Sequence, residues 1–348
     1  MRTIITTVGT SLLSNAKRDL GTKQPSEQQI SNYLHHTNAV KASAETNSLS
    51  RLLKPDDAIV FLHSQTEDGK QCAQGLKHYY DDKHAVTLTE IRDLSYTESR
   101  FKMRGLRSLV GSLVDLIRKE RKLGREVAIN ATGGFKAEIA YATLVGLLFD
   151  IPVYYIHEVF QDIIEMPPTP IGWDYTLLFD NEDFLEWVFA EDHLIADVDQ
   201  RLNGRPAELR LLLTEEEGRT ILSPAGVAFY ESFLERIEKA GDIQVELSDS
   251  ARHTLDGASA DIKRLFERTI DKLRLRELRL TGSDYVGSCD CLVFPKGHRT
   301  ERLFYYEGQD GIVRVCELAR HSDQTYERLI KRGVNRSDYT TFAPWQGV

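Results

Sequence analysis

The chain has 348 residues, 41% of them apolar, with a formal net charge of −9 and four cysteines. That length suffices for two or three domains with real cores, and no run of 18 or more apolar residues marks a membrane span. Four cysteines make no disulfide framework, and the single-residue gap in Cys289-Asp290-Cys291 is shorter than a structural zinc site uses; read as strand, it puts both thiols on one face. The opening "MRTIITTVGTSLLSN" reads as a strand and lacks the apolar segment of a secretory signal, so a reducing cytoplasmic location and no membrane partner are expected. Charge is uneven: residues 251–348 carry 17 Lys and Arg against 14 Asp and Glu, and residues 1–250 carry 27 against 39. Any nucleic-acid contact is thereby confined to the carboxyl end, although charge alone fits ordinary surface variation equally well.

In chain order, "TIITTVG" predicts a first strand with a turn at Gly9, and residues 23–53 carry polar helical patterning. "DDAIVFLHSQT" is a second strand, "DGKQCAQGLKHYY" its helix and "AVTLTEI" a third strand. "FKMRGLRSLVGSLVDLIRKERKLG" is an amphipathic helix, "REVAINATGG" a fourth strand, "FKAEIAYATLVGLLFD" its helix and "IPVYYIHE" a fifth strand. Apolar strands alternating with helices predict a parallel sheet covered on both faces, with ligands beyond the carboxyl ends of the strands. "EMPPTPIGW" reads as a rigid connector. Residues 183–240 read as mostly helical, with a hairpin near "ELRLLLTEEEGRTILSPAG" that resembles the wing and last helix of a winged helix. "ASADIKRLFERTIDKLRLRELRL" predicts one basic helix. "SCDCLVFP", "TERLFYYEG" and "GIVRVCELARHS" predict three antiparallel strands, because their gaps are too short for crossover helices. "QTYERLIKRGV" is a last helix. The aromatic tail "TTFAPWQGV" is expected to dock on the body of the protein, with contact to a ribosomal protein as the alternative.

The loop after strand four carries the first candidate site. Asn130 ends the strand, Gly133 and Gly134 permit a sharp turn with exposed N–H groups, and Phe135 opens a helix whose positive end suits an anion. Thr132 adds a hydroxyl and Lys136 a positive charge. Gly9, Thr10, Ser11 and Asn15 lie just beyond strand one, and Ser64, Gln65 and Thr66 beyond strand two. This is neither the dinucleotide GxGxxG nor the P-loop. Small, mostly uncharged loops suit nucleotide edges and phosphodiesters; pattern alone fits purely structural turns as well.

"VGTSLLSN" together with "NATGGFKAE" resembles the CRISPR-associated Rossmann-fold sensor domain, over about residues 1–170. The resemblance implies a homodimer whose two-fold axis crosses a pocket for a cyclic oligoadenylate; an even-membered ring shares that symmetry, so cyclic tetra-adenylate is the implied activator. It implies that Thr10, Ser11 and Asn15 line the adenylates and that Gly133, Gly134 and Lys136 hold phosphate. Some relatives also cut the ring, which this sequence leaves open.

The carboxyl end lacks the Arg-x4-His nuclease motif of many such relatives. What it offers is Lys296, His298, Arg299 and Arg302 around one hairpin, and Arg320, His321 and Tyr326 after the last strand; on "RTERLFYY", Arg302 and Phe304 share a face and Leu303 and Tyr305 the other. The stretch from "LRLRELRL" to "ARHSDQTYERL" is similar to the RelE and HigB group of mRNA interferases over about residues 262–333, with Arg320-His321 in place of the usual lysine pair. Together the segments resemble the CRISPR-associated mRNA interferases of type III immunity. The expected plan is α/β: a Rossmann-like parallel-sheet sensor at residues 1–170, a mainly helical winged-helix-like linker at 171–250, and a small α+β RelE-like ribonuclease with its tail at 251–348.

The chemistry such a site performs needs no metal or cofactor. The 2′-OH of RNA attacks its own 3′-phosphate, leaving a 2′,3′-cyclic phosphate and a 5′-OH. Arg299, Arg302 and Arg320 are candidates to neutralise the phosphorane. His321, with Arg320 second, is the candidate acid, and His298, Lys296 or Tyr326 the candidate base. Resemblance implies that the ribosome positions the mRNA in its A-site, with Tyr326 or Tyr285 stacking on a base. For the aromatics, including Tyr305 and Tyr306, core packing is the competing role. Rival readings are a nucleotide-sensing winged-helix transcription regulator, which needs a basic recognition helix in 184–240, and an enzyme that degrades cyclic oligoadenylate.

Overall fold

The computed structural model describes residues 1–95, 104–156, 162–169, 171–297, 299–321 and 324–347. Five strands in the first half form a parallel sheet: β1 (Arg2–Val8), β2 (Ala58–Ser64), β3 (Val86–Ile91), β4 (Glu126–Asn130) and β5 (Val153–Ile156). β6 (Ile163–Met166) adds an antiparallel edge, and the order is β3-β2-β1-β4-β5-β6. β1 and β2 are buried along nearly their whole length, as strands covered on both faces must be. The covering helices are α1 (Ser11–Leu20), α2 (Glu27–His36), α3 (Ala39–Ala42), α4 (Ala44–Leu52), α5 (Glu67–Tyr80), α6 (Arg104–Lys122) and α7 (Lys136–Leu148). The apolar faces of α1 to α5 and the strands share a core that includes Ile4, Leu12, Leu34, Leu49, Phe61 and Leu76, and α6 and α7 bury residues of their own, among them Leu109, Leu113 and Val145. The expected α/β architecture is present. β6 falls where only a connector was expected: "IIEM" is short and mostly exposed, with no alternation to announce it, and it is a strand because β5 supplies its partners.

The chain divides into two compact units, residues 1–170 with 188–231, and residues 171–187 with 232–348. It enters segment 188–231 through α9 (Glu182–Ala190) and leaves it through α11 (Pro224–Lys239). The segment holds α10 (Ile195–Leu202) and a three-stranded antiparallel sheet, β7 (His193–Leu194), β9 (Arg219–Leu222) and β8 (Leu213–Glu216), in that spatial order. Glu217 and Gly218 both have positive φ (50° and 78°), the backbone of a two-residue hairpin turn whose twist matches its strands. A clasp of opposite charges holds this segment to α6: Arg104 lies 3.3 Å from Asp192 and 3.1 Å from Glu216, and Arg118 lies 2.7 Å from Glu231.

The second unit is built on a sheet of order β11-β12-β13-β14-β10-β15. β12 (Leu292–Phe294), β13 (Glu301–Glu307) and β14 (Val313–Arg320) are antiparallel, as their short connections require. β11 (Asp284–Tyr285) extends one edge, and β10 (Val245–Ser248) joins the other side parallel to β14. The helices are α8 (Thr176–Asp180), α12 (Asp249–Asp256), α13 (Ala260–Lys272), α14 (Arg276–Gly282) and α15 (Gln324–Arg332). The expected single basic helix is in fact two, α13 and α14. The break is stabilised by Arg279, which is buried and donates Nη1–H groups to the carbonyls of Leu273 and Arg274 at the end of α13. Cys289 and Cys291 do not share a strand face either; they precede β12. Cys291 packs against Cys316, Sγ to Sγ 3.7 Å, and Cys289 accepts the Val334 N–H. All four cysteines are free and buried.

The tail docks. β15 (Phe342–Pro344) pairs antiparallel with β10, the Trp345 N–H bonds to Val245 O, and Trp345 Nε1 donates to Asp271 at 2.7 Å. Phe342 packs edge-on to Tyr306. Deleting residues 340–348 strips β10 of its outer partner and is expected to lower the melting temperature by about 3 °C or more, measured by calorimetry; an unchanged melting curve would show that the docked tail contributes nothing to stability.

Candidate functional site

The strand order reverses between β1 and β4, so their following loops diverge to opposite faces and leave a crevice. Here they also touch. A Cβ added to Gly9 would lie 2.7 Å from Gly134 N, and one added to Gly133 would lie 2.1 Å from Glu45 Oε1 and 2.6 Å from Thr7 O. Gly134 has φ of +100°, a backbone region that other residues seldom adopt. Thr7 Oγ1 donates to Gly133 O, tying the end of β1 to the loop behind β4.

Glu45, on α4, is the centre of this contact, and sequence reasoning missed it. Its side chain has no exposure. Oε1 accepts the Gly9 N–H at 2.8 Å, and Oε2 faces Ser11 Oγ at 3.4 Å. Ser11 Oγ in turn accepts the Ala44 N–H at 3.0 Å. Burial raises the Glu45 carboxyl above the ordinary glutamate range, against the opposing pull of the Gly9 N–H and other donors. A second carboxylate, the buried Glu138 in the first turn of α7, reaches back beneath Gly134: a Cβ there would lie 2.2 Å from Glu138 Oε2. The only sequence hint for Glu45 was a lone carboxylate among small residues in "SAETNSLS".

The other expected ligand-binding residues fall into separate groups. Asn130 Nδ2 donates to Ser48, and Asn130 Oδ1 accepts from Thr132 Oγ1, which also receives the Ile156 N–H. Asn15 holds the carbonyls of Lys41 and Ala42 at the end of α3. Ser64 Oγ lies 2.8 Å from Thr66 Oγ1, which caps α5 through the Gly69 N–H. Gln65 accepts the Asp93 N–H at 3.0 Å. Phe135 and Lys136 are exposed at the start of α7, and Thr10 is half-buried at the start of α1; the Thr10 hydroxyl and the Lys136 ammonium have no partner among the described residues.

The candidate nuclease residues gather where β13 begins and β14 ends, and Glu301 pairs with Arg320 across the ladder. Arg302 is buried. Its guanidinium donates to the carbonyls of Arg299, Glu301 and Gly297, so it holds the loop before β13 in shape. It also lies 6.0 Å from the centroid of Tyr326. Tyr326 is buried against Phe304 and His321, the latter at 5.1 Å between ring centroids. His321 is exposed, and its N–H bonds to Thr300 O at 2.6 Å, closing the two strand ends. Arg299 is half-buried, with Nε on Glu301 and Nη1 on Phe179 O. Arg320 is half-buried with its Nε unpartnered among the described residues, and Lys296 is exposed. His298 lies outside the described residues. Of the two candidate stacking rings, Tyr326 is buried and Tyr285 is 64% exposed; Tyr305 is buried in the core.

Glu301 was also missed. It is 1% exposed, accepts from Thr269 Oγ1 at 3.0 Å and anchors Arg299. The period of two in "ERLFYY" already put it on the core face with Leu303 and Tyr305. A carboxylate at such a position requires buried partners.

The amino-terminal unit is thus a Rossmann-like α/β domain with glycine loops meeting at its switch point, a construction suited to phosphate-bearing ligands. Residues 40–169 match the family described as CRISPR-associated protein (Cas_APE2256). Among solved structures the chain is similar to Vibrio cholerae protein VC1899, at 12% identity over 69% of this chain and 68% of that one, with a TM-score of 0.26. It is also similar to Enterococcus italicus Csm6 bound to cyclic hexa-2′-fluoro-hexa-dAMP, at 10% identity over 80% of this chain, TM-score 0.29. A third is Can2 from Sulfobacillus thermosulfidooxidans in complex with cyclic tetra-adenylate, at 10% identity over 68% of this chain, TM-score 0.26. The match spans 53% of the Csm6 chain and 64% of the Can2 chain.

Because the fold raises the pKa of Glu45, it favours the protonated carboxyl. That stabilisation is complete below the ordinary glutamate pKa and is lost as pH rises through the elevated one. Glu45→Gln keeps an acceptor for the Gly9 N–H and cannot ionise. The melting temperature of the variant relative to the parent is expected to climb as pH is raised from 4 to 8; a gap independent of pH would place the Glu45 titration at its unfolded value.

Proposed function

We infer that this chain is a cyclic tetra-adenylate-activated, ribosome-dependent endoribonuclease of type III CRISPR defence. The observation that carries the reading is the glycine-loop contact at the β1/β4 switch point, within a domain whose residues 40–169 match a CRISPR-associated family. The arginine, histidine and tyrosine cluster of the second compact unit supports the effector half. In this reading residues 1–170 are the sensor, 171–250 the winged-helix-like linker and 251–348 the RelE-like nuclease. The protein works in the cytoplasm as a homodimer that shares its two-fold axis with the ring.

On the sensor side, the first-turn N–H groups of α7, Thr10 and Lys136 contact ring phosphate and ribose. Glu45 and Glu138 stand beside them, and the upward shift that burial gives the Glu45 carboxyl lessens its repulsion of an anion. On the nuclease side, Arg302 is the strut of the loop. Arg299 and Arg320 face the phosphate; His321 gives its proton to the departing 5′-oxygen as the 2′-oxygen bonds to phosphorus and yields its own proton to Lys296 or His298. Tyr285, exposed on β11, suits base stacking, and Tyr326 holds the imidazole of His321 from behind.

The transcription-regulator reading fares worse, because α9, α10 and α11 each carry more acidic than basic residues. A phosphate-reading helix needs the opposite balance. Degradation of the ring remains compatible with the sensor loops and is an activity to assay alongside.

The test incubates translating ribosomes with the protein, with and without cyclic tetra-adenylate, and maps mRNA ends. Ring-dependent cuts in the A-site with 5′-OH products are expected. Indifference to the ring, or loss of cutting when divalent ions are removed from intact ribosomes, overturns the reading. Lys136→Glu, at an exposed site, should keep its melting temperature and lose about 10-fold or more in ring affinity, since a charge-assisted phosphate contact becomes repulsive. Arg302→Ala should still bind the ring and lose cutting, with a melting temperature lowered by the carbonyls left unpaired in its loop. Asp192→Arg, which turns one jaw of the α6 clasp against Arg104 and Arg107, should bind the ring normally and blunt activation.

A further inference from the structure

α8 lies in the same compact unit as the arginine cluster, and its contacts converge on the loop that carries Lys296 and Arg299. Phe179, buried, stacks on Phe294 with ring centroids 5.4 Å apart at 21°. The Arg299 guanidinium lies over the Phe179 ring, 4.3 Å from its centroid, and Arg299 Nη1 donates to the Phe179 carbonyl at 3.0 Å. The neighbouring Asp180 approaches the same loop: its Oδ2 is 3.6 Å from the position of a Cβ on Gly297. At the start of the helix, Thr176 Oγ1 lies 2.9 Å from Thr281 Oγ1, just before the Gly282 carbonyl that accepts the Lys296 N–H.

These contacts do something specific to Arg299. A guanidinium has five N–H donors in one plane. Nε is committed to Glu301 and one Nη1–H to Phe179 O, both bonds lying in that plane, while the aromatic ring fixes the plane from one face. The remaining three N–H groups have no partner among the described residues, and they form the edge that suits two phosphate oxygens. Ring, carbonyl and carboxylate together determine where that edge sits, whereas a longer-range charge would leave the side chain free to swing.

We propose that Phe179 is a positioning residue of the nuclease site, acting through Arg299, so that segment 171–187 completes a site otherwise built from Lys296, Arg299, Arg320, His321 and Tyr326. The proposal rests on the nuclease reading above. Its substrate-facing consequence is orientation of the guanidinium against the scissile phosphate, and misorientation of a group on this scale lowers turnover more than binding.

The test uses the full chain with translating ribosomes and cyclic tetra-adenylate. Phe179→Leu keeps apolar bulk under Arg299 and removes the aromatic face; Phe179→Tyr keeps the face and serves as rescue. Expected are a loss of about 10- to 100-fold in kcat for Phe179→Leu, little change in KM, and near-parental turnover for Phe179→Tyr. Phe179→Leu should add little to the loss caused by Arg299→Ala, because both act through one guanidinium. Losses that simply multiply, or a Tyr variant as damaged as the Leu variant, overturn the proposal. A readout independent of activity, and of whether the Leu variant folds, is hydrogen exchange of the Arg299 Nε–H in 15N-labelled protein. It should be slow in the parent and in Phe179→Tyr; fast exchange in the parent overturns the brace directly. If the Nε–H is protected and the parent still cuts no mRNA with the ring present, the nuclease reading fails while the geometry stands.

Discussion

The amino-terminal unit depends on two loops coming closer than side chains allow. Gly9, Gly133 and Gly134 leave no Cβ between the backbones behind β1 and β4, and the buried carboxyl of Glu45 fills what space remains. Strand order brings the loops to the same crevice, and the glycines convert that proximity into contact. A buried carboxyl there couples backbone geometry to proton occupancy. The Gly9 and Ser11 hydrogen bonds favour its charged form, and desolvation opposes them more strongly.

The carboxyl-terminal unit separates two arginines of the same hairpin into different jobs. Arg302 is buried and commits its guanidinium to three carbonyls, which makes it part of the backbone scaffold. Arg299, three residues earlier, is held at one edge and leaves the other free. Removing Arg302 therefore disturbs a loop, whereas removing Arg299 deletes a charge from an intact one.

Weak contacts join the parallel sheet's α6 to the segment that follows it. The Arg104, Arg107 and Arg118 pairs with Asp192, Glu216 and Glu231 are all partly solvated. Each such pair contributes about 0–1 kcal/mol. A clasp of that strength holds a register and still exchanges readily.

By itself the sequence determined the parallel α/β sheet, the glycine loops, the docked aromatic tail's need for cover and the antiparallel carboxyl-terminal hairpins. All of these follow from local signals: apolar runs of strand length, Gly-Gly after a strand, and gaps too short for crossovers. It also named most residues that gather at the ends of β13 and β14. Only the tertiary structure decided which of them are scaffold. Arg302 and Arg320 look alike in sequence, and their difference is burial, set by register against β14 and by contacts with Tyr326. Glu45, Phe179, β6 and β10 were illegible because their partners are distant in sequence: Glu45 meets residues 36 positions earlier and some 88 later, and Phe179 meets Arg299 across 120. A periodic pattern reports which face of an element is buried, and it is silent on what buries it.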